Sequence, residues 1–259
     1  MTDRNSLDLF LTKDGSSTLF SNQFGQYYHN PNGAVSENIY IFFEISGLYK
    51  TLTSGKPITI FEVGFGTGLN LLLLLDACLS SNFSSPMHFY SCEAFPVSED
   101  IAKSFNFSDF LEHPELSLLL PDIFGKIEPG INSIRLHPEK PFYLHLFYGK
   151  FSEVNTIAQK ADFIFHDAFS PEKNGELWTV AAFTKLLAFS HYNTILTTYC
   201  SASKARAAMA IAEWKIARVR GTLGKREMTI ASPNPDKLFE FKHLNEEKLI
   251  WRYQNGDFK

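Results

Sequence analysis

Two groups of residues in this 259-residue chain have the types and spacing to do chemistry. The first is Glu62-x-Gly64-x-Gly66-x-Gly68, which ends the apolar run Ile58-Thr59-Ile60-Phe61 and opens into a leucine-rich stretch starting at Leu69-Asn70. Alternate glycines let the backbone turn tightly at positive φ and leave bare main chain for a ligand, while the helix that follows offers unpaired N–H groups. The dinucleotide fingerprint G-x-G-x-x-G uses such a start to hold a pyrophosphate. Here a carboxylate precedes the first glycine, where it repels phosphate and suits a ligand with a cationic or neutral head. A glycine-rich turn without a ligand is the plainer alternative. The second group is Asp167-Ala168-Phe169-Ser170-Pro171, at the end of the apolar run 162–166. A carboxylate there can stabilise an ammonium, accept its proton directly or through water, and align the freed lone pair for attack. Its structural alternative is a helix cap. His166, one residue earlier, alternates to the other side of the strand and reads as a packed histidine rather than a second base.

The elements that position these groups follow from the pattern. Residues 58–63 read as a strand and those after Gly68 as a helix. A second strand over 87–92 ends at Glu93, which lies 25 residues past Gly68, near the spacing of about 20 at which an acid accepts ribose hydroxyls in doubly wound sheets. An acid opening a helix before Pro96 is the other reading of Glu93. Apolar runs at 142–148, 162–166 and 194–199 continue a βα alternation and predict a parallel sheet. The runs 215–220 and 227–231 flank Gly221-Thr222-Leu223-Gly224 and predict a closing antiparallel pair. We expect an N-terminal extension or lid over 1–50, a core over 51–232 and a polar tail over 233–259 docked by Trp251 and Tyr253. Residues 95–141, helix-like and broken by prolines, read as an insertion that covers the site or binds substrate.

Composition narrows the classes. Hydrophobic residues make up 44% and charged residues 20% of the chain, enough apolar surface for a large core and too little charge bias for disorder. No segment nears the roughly 20 apolar residues that span a bilayer, and the start Met1-Thr2-Asp3-Arg4-Asn5-Ser6 is polar, so we expect a cytoplasmic protein without a membrane partner. Cys78, Cys92 and Cys200 stand far apart with no histidine at ligand spacing, so neither a disulfide framework nor a metal site is expected. The net charge of −4 disfavours nonspecific coating of nucleic acid. Yet Lys204, Arg206, Lys215, Arg218, Arg220, Lys225 and Arg226 gather late in the chain. They form either a phosphate-binding face or ordinary solvated faces.

E/D-x-G-x-G-x-G resembles the first motif of class I S-adenosylmethionine-dependent methyltransferases, and Asp-x-Phe-x-Pro resembles the fourth-motif loop of those acting on amines. The blocks Phe61-Glu62-Val63-Gly64-Phe65-Gly66-Thr67-Gly68-Leu69-Asn70, His166-Asp167-Ala168-Phe169-Ser170-Pro171-Glu172-Lys173-Asn174, Leu177-Trp178-Thr179 and Gly224-Lys225-Arg226-Glu227-Met228 occur in this order, with Tyr28-His29, Gly33-Ala34 and Glu37 upstream. Together they are similar to the methyltransferase domain of the MnmC family over nearly the whole chain. The resemblance implies an α/β, Rossmann-like class I methyltransferase fold, a mostly parallel doubly wound sheet ending in an antiparallel strand. It implies S-adenosylmethionine as cofactor, tRNA as partner, and N-methylation of 5-aminomethyl-(2-thio)uridine at the wobble position, in a form without the family's FAD-dependent oxidase domain. Glu62, Gly64, Phe65, Gly66, Thr67, Gly68, Asn70 and Glu93 would hold the cofactor and Asp167 the amine. Phe169, Pro171, Lys173, Asn174, Trp178, Lys225 and Arg226 would serve the substrate. Trp178 could equally be core, and Lys225 and Arg226 could be hairpin structure. The chain departs from the family at Lys150, where an acid usually follows Gly149, at Gly175 in place of proline, and at His191-Tyr192-Asn193 in place of a Gly-Gly turn. Two other classes compete: a methyl- or aminopropyl-transferase for a small soluble amine, and a non-catalytic binding module that kept the fold.

Overall fold

The computed structural model describes residues 6–258; the polar start 1–5 lies outside the described residues. Strands β1 (Leu7–Leu11), β2 (Ser17–Ser21) and β3 (Gln26–Tyr27) form a small antiparallel sheet, followed by α1 (Ala34–Asn38), a π-helical continuation at Ile39–Ile45, and α2 (Leu48–Leu52). The core then runs β4 (Ile58–Val63), α3 (Leu69–Ser80), β5 (Met87–Glu93), α4 (Glu99–Lys103), α5 (Leu119–Lys126), β6 (Gly130–Arg135), β7 (Phe142–Tyr148), β8 (Ala161–His166), α6 (Val180–Phe189), β9 (Ser190–Thr198) and α7 (Ser203–Ile211). It closes with β10 (Lys215–Arg220), β11 (Glu227–Ser232), β12 (Lys242–His243) and α8 (Glu246–Gln254).

The large sheet has nine strands in the order β12-β10-β11-β9-β8-β4-β5-β7-β6. Its centre β9-β8-β4-β5-β7 is parallel, and its flanks pair antiparallel. Every residue of β4 is buried, as a strand covered on both faces must be. Alternation along it sends Ile58 and Ile60 into the core under α3, and Phe61 and Val63 into the core under α6 and α7. The chain runs from β4 outward through β5 and β7, then returns to place β8 on β4's other side. The switch point therefore lies at the carboxyl ends of β4 and β8, where open α/β sheets form their ligand crevice. Both chemical groups of the sequence end there.

Two expectations need correction. Residues 95–141 contain β6, an edge strand of the main sheet that the alternating exposure of Gly130–Arg135 hid. The helical part of this segment packs into the core with α3 through Leu120, Ile123 and Phe124, so it is mostly scaffold rather than a cover. In the tail, Trp251 is 61% exposed. Tyr253 docks α8 as expected, together with Leu244, Leu249 and Ile250.

Candidate active site

The loop after β4 owes its shape to its glycines. Gly64, Gly66 and Gly68 sit at φ +93°, +55° and +78°, a region closed to most side chains. The N–H groups of Gly64 and Phe65 both reach the carbonyl of Cys92 at 3.2 Å, tying the loop to β5. The Asp167 N–H donates to the Val63 carbonyl at 3.1 Å, so β8 delivers its aspartate directly beside the loop. A Cβ on Gly64 would stand 3.0 Å from the Asp167 carbonyl oxygen. Both groups open into one cavity of about 760 Å³, lined by Gly64, Phe65, Gly66, Thr67, Asn70, Glu93, Asp167, Phe169 and Asn174 among others.

Four acids and one amide set its electrostatics. Asn70, 3% exposed on the first turn of α3, donates to Glu62 Oε1 at 2.9 Å and to Asp167 Oδ2 at 3.1 Å. It accepts from Asn38 Nδ2 at 3.0 Å. Burial pushes Asp167 up to about 7; the nearby Glu37 carboxylate adds to this, while Lys225 and the Asn70 amide oppose it. Glu62 is pushed up to about 8, first by burial, against the hydrogen bonds from Ser91 and Asn70. Glu93, also raised by burial, binds the N–H groups of Gly66 at 2.9 Å and Phe95 at 2.8 Å through its two oxygens. Each of those oxygens keeps a lone pair for a ribose hydroxyl.

The N-terminal segment crosses this loop. Tyr28 lies against Gly66, 3.4 Å from where its Cβ would be, and His29 Nε2 meets Thr67 Oγ1 at 3.3 Å. Burial holds His29 down to about 4, so it is neutral. Phe24, Tyr28, Phe95 and Phe169 line the cavity together, with Phe24 and Phe169 centroids 4.8 Å apart and Tyr28 and Phe169 5.0 Å apart. Bare loop backbone, a carboxylate at the second strand and clustered acids suit a nucleoside with a cationic amino-acid tail, so the residues present fit S-adenosylmethionine. Among the described residues no cluster of three or more His, Cys, Asp or Glu could hold a metal ion.

Sequence-expected residues fall into distinct places. Gly64, Phe65, Gly66, Thr67, Asn70, Glu93, Asp167, Phe169 and Asn174 line the cavity. Glu62 does not; it stands behind Asn70, 1% exposed, facing Ser91 Oγ at 2.7 Å. Gly68 caps α3, behind the lining. Trp178 is 4% exposed, donates from Nε1 to the Phe169 carbonyl at 2.8 Å and packs on His166, so its ring is closed to a stacking base. Pro171 and the exposed Lys173 sit outside the cavity lining. Lys225 turns inward to Glu37 at 2.8 Å and lies over the Tyr199 ring at 4.3 Å, which corrects its assignment to tRNA phosphate. The exposed Arg220 and Arg226 border a second, shallow groove of about 580 Å³ with Tyr40 and the hairpin loop. His166 is the packed histidine expected, buried and bonded to the Leu177 carbonyl at 2.9 Å.

Sequence reasoning missed Phe24, Asn38, Phe95 and Phe151 as cavity residues. The expected lid over 1–50 and the insertion starting at 95 pointed to the segments that supply Phe24, Asn38 and Phe95 without singling out these residues. In place of an acid at position 150, Glu153 folds back to accept the Lys150 N–H at 2.9 Å. The Phe95 and Phe151 rings supply the apolar wall near Glu93.

Among known proteins, the family model of an S-adenosyl-L-methionine-dependent methyltransferase matches residues 115–234. A tRNA 5-methylaminomethyl-2-thiouridine biosynthesis bifunctional protein MnmC from Leptospira interrogans is 31% identical over 227 residues, 86% of this chain and 35% of that protein. The protein of that name from Burkholderia multivorans is 27% identical over 223 residues, 84% of this chain and 34% of its own length. The chain thus spans about a third of the curated relatives it matches. The crystal structure of MNMC2 from Aquifex aeolicus superposes with a TM-score of 0.73 at 26% identity, covering 97% of this chain and 76% of that one.

Proposed function

The chain belongs to the S-adenosyl-L-methionine-dependent methyltransferases of the MnmC type, and from that premise we propose that it methylates the exocyclic amine of 5-aminomethyl-(2-thio)uridine at the tRNA wobble position, giving the 5-methylaminomethyl nucleoside. One observation supports the reading most: the glycine loop and the Asp167 carboxyl open into the same cavity, tied by the bond from Asp167 to Val63. S-adenosylmethionine, held by the Gly64–Gly66 backbone and Glu93, would supply a methyl group activated on a cationic sulfur.

The chain's task is to present a nitrogen with a free lone pair. A primary alkylamine is largely protonated near neutrality, so Asp167 first attracts the ammonium, then takes one of its protons and orients the neutral nitrogen. Methyl transfer then leaves a secondary amine that picks up the positive charge given up by the sulfur. A carboxyl held at about 7 is matched to this exchange, because it can receive a proton and release it at the pH of the cell. Asn70 fixes one Asp167 oxygen, leaving the other for the amine. The carbonyls of Ala168 and Phe169 accept from Tyr199 Oη at 2.7 Å and Trp178 Nε1 at 2.8 Å, bonds that fix the loop carrying Asp167. Tyr28 against Gly66 and Phe24 against Phe169 give the cavity an apolar wall beside the amine, and orientation supplies the larger share of the rate.

The test is mass spectrometry of nucleosides from tRNA that carries the 5-aminomethyl group, incubated with the protein and S-adenosylmethionine. A gain of one methyl on the wobble nucleoside is expected. Methylation of polyamines in a parallel panel, with tRNA unchanged, would replace this reading with the small-amine transferase. Failure of S-adenosylmethionine to bind at millimolar concentration in calorimetry would leave a non-catalytic module.

A further inference from the structure

We propose that Glu37 and Lys225, an ion pair behind the amine pocket, are positioning residues that set the charge carried by Asp167 by acting on it in opposite directions. The inference deepens the reading of Asp167 as acceptor of the amine's proton and rests on it.

The pair approaches the aspartate along two routes. Lys225 Nζ is 2.8 Å from Glu37 Oε1 and sits 4.3 Å from the Tyr199 ring centroid. Tyr199 Oη in turn donates to the carbonyl of Ala168, the residue after Asp167, at 2.7 Å. On the other side, Glu37 accepts from Asn30 Nδ2 at 2.9 Å, and its neighbour Asn38 donates to Asn70, which bonds Asp167 Oδ2. Glu37 is 5% exposed, so solvent does little to screen it. Tyr28, His29, Glu93, Lys150, Glu176 and Lys185 line the cavity that Asp167 opens into; the groups coupled to Asp167 by charge are Glu37 from α1, Glu62 from β4, Tyr199 after β9 and Lys225 from the β10–β11 hairpin. Among these four, Lys225 is the one cation. A carboxylate nearby disfavours a second negative charge on Asp167, and an ammonium nearby favours it. Held together at fixed distances, the two balance the aspartate between its charged and neutral forms, as a group that must take up and then release a proton requires.

A merely structural strut between α1 and the hairpin makes a different forecast, because breaking either end of a strut has the same effect. The experiment is a ¹³C NMR titration of the Asp167 carboxyl in the cofactor-free protein, assigned with Asp167→Asn, for wild type, Lys225→Met, Glu37→Gln and the double variant. The midpoint should move up by roughly one unit in Lys225→Met and down by roughly one unit in Glu37→Gln. It should return near wild type in the double variant. Lys225→Arg, which keeps the charge, should keep the wild-type midpoint. The acid limb of kcat/KM should move in the same directions. Shifts of the same sign in both single variants, or no shift, would overturn the proposal. Should Lys225→Met fail to fold, Glu37→Gln against Lys225→Arg still decides it. If wild type leaves tRNA unmethylated, the functional reading fails while the titration still reports on the pair.

Discussion

At the scale of residues, the site concentrates carboxyls that prefer to be neutral when no cation is present. Replacing Asp167 by Ala should leave S-adenosylmethionine affinity within a few fold in calorimetry while cutting turnover by roughly 10²-fold or more; undiminished turnover would remove it from the reaction. The same acids make the empty protein sensitive to pH. Glu62 and Asp167 are raised to about 8 and about 7 from ordinary values of 4.5 and 3.8. An unfolded chain gives up those protons earlier, so the stability they contribute is whole at low pH and lost as pH climbs through the raised values. His29 and His166, held down to about 4, act the other way below their ordinary 6.5, which leaves the carboxyl effect alone between roughly pH 6.5 and 8. The melting temperature of the cofactor-free protein should therefore fall across that window, and Glu62→Gln, which keeps the shape of the side chain, should flatten the decline. Asp167 and the glycines were legible in the sequence because each ends a strong apolar strand. The partners that tune them were not. Asn38 lies 32 residues before Asn70, and Glu37 meets a lysine from the far hairpin, so their closeness exists only after folding.

At the scale of elements, the contact between the loop after β4 and the end of β8 is the joint on which the site turns. Gly64→Ala would force a side chain to φ +93° and set its Cβ 3.0 Å from the Asp167 carbonyl. Such backbone strain costs roughly 1–3 kcal/mol, so a lower melting temperature is expected, and displacement of Asp167 should weaken both cofactor binding and turnover. An unchanged dissociation constant for S-adenosylmethionine would show the loop to be idle. The parallel strands were readable because central strands carry unbroken apolar runs, and the β10–β11 hairpin because glycines bracket its turn. Edge strand β6 was not, since half of its residues face solvent and its pattern lies among proline-broken helices. Trp178 shows the same limit for a side chain: a tryptophan beside a catalytic loop reads as a stacking platform or as core with equal ease, and the bond to Phe169 decides for core.

At the scale of the whole molecule, a net charge of −4 leaves little general attraction for a polyanion, so any hold on tRNA must be local. The exposed Arg220 and Arg226 stand beside the groove at Tyr40, on the hairpin that also carries Lys225. Arg226→Ala should weaken tRNA binding for all sequences alike and reduce the slope of log affinity against log salt by about one; an unaltered slope would place the phosphate contacts elsewhere. Residues 32–40 and this hairpin also hold one another: Asn32 Nδ2 donates to the Leu223 carbonyl at 3.1 Å and Tyr40 Oη to the Arg220 carbonyl at 3.0 Å. Such a clasp joins segments 191 and 180 residues apart in the chain. The Glu37–Lys225 pair behind the pocket is therefore assembled only once residues this far apart in sequence have folded onto one another.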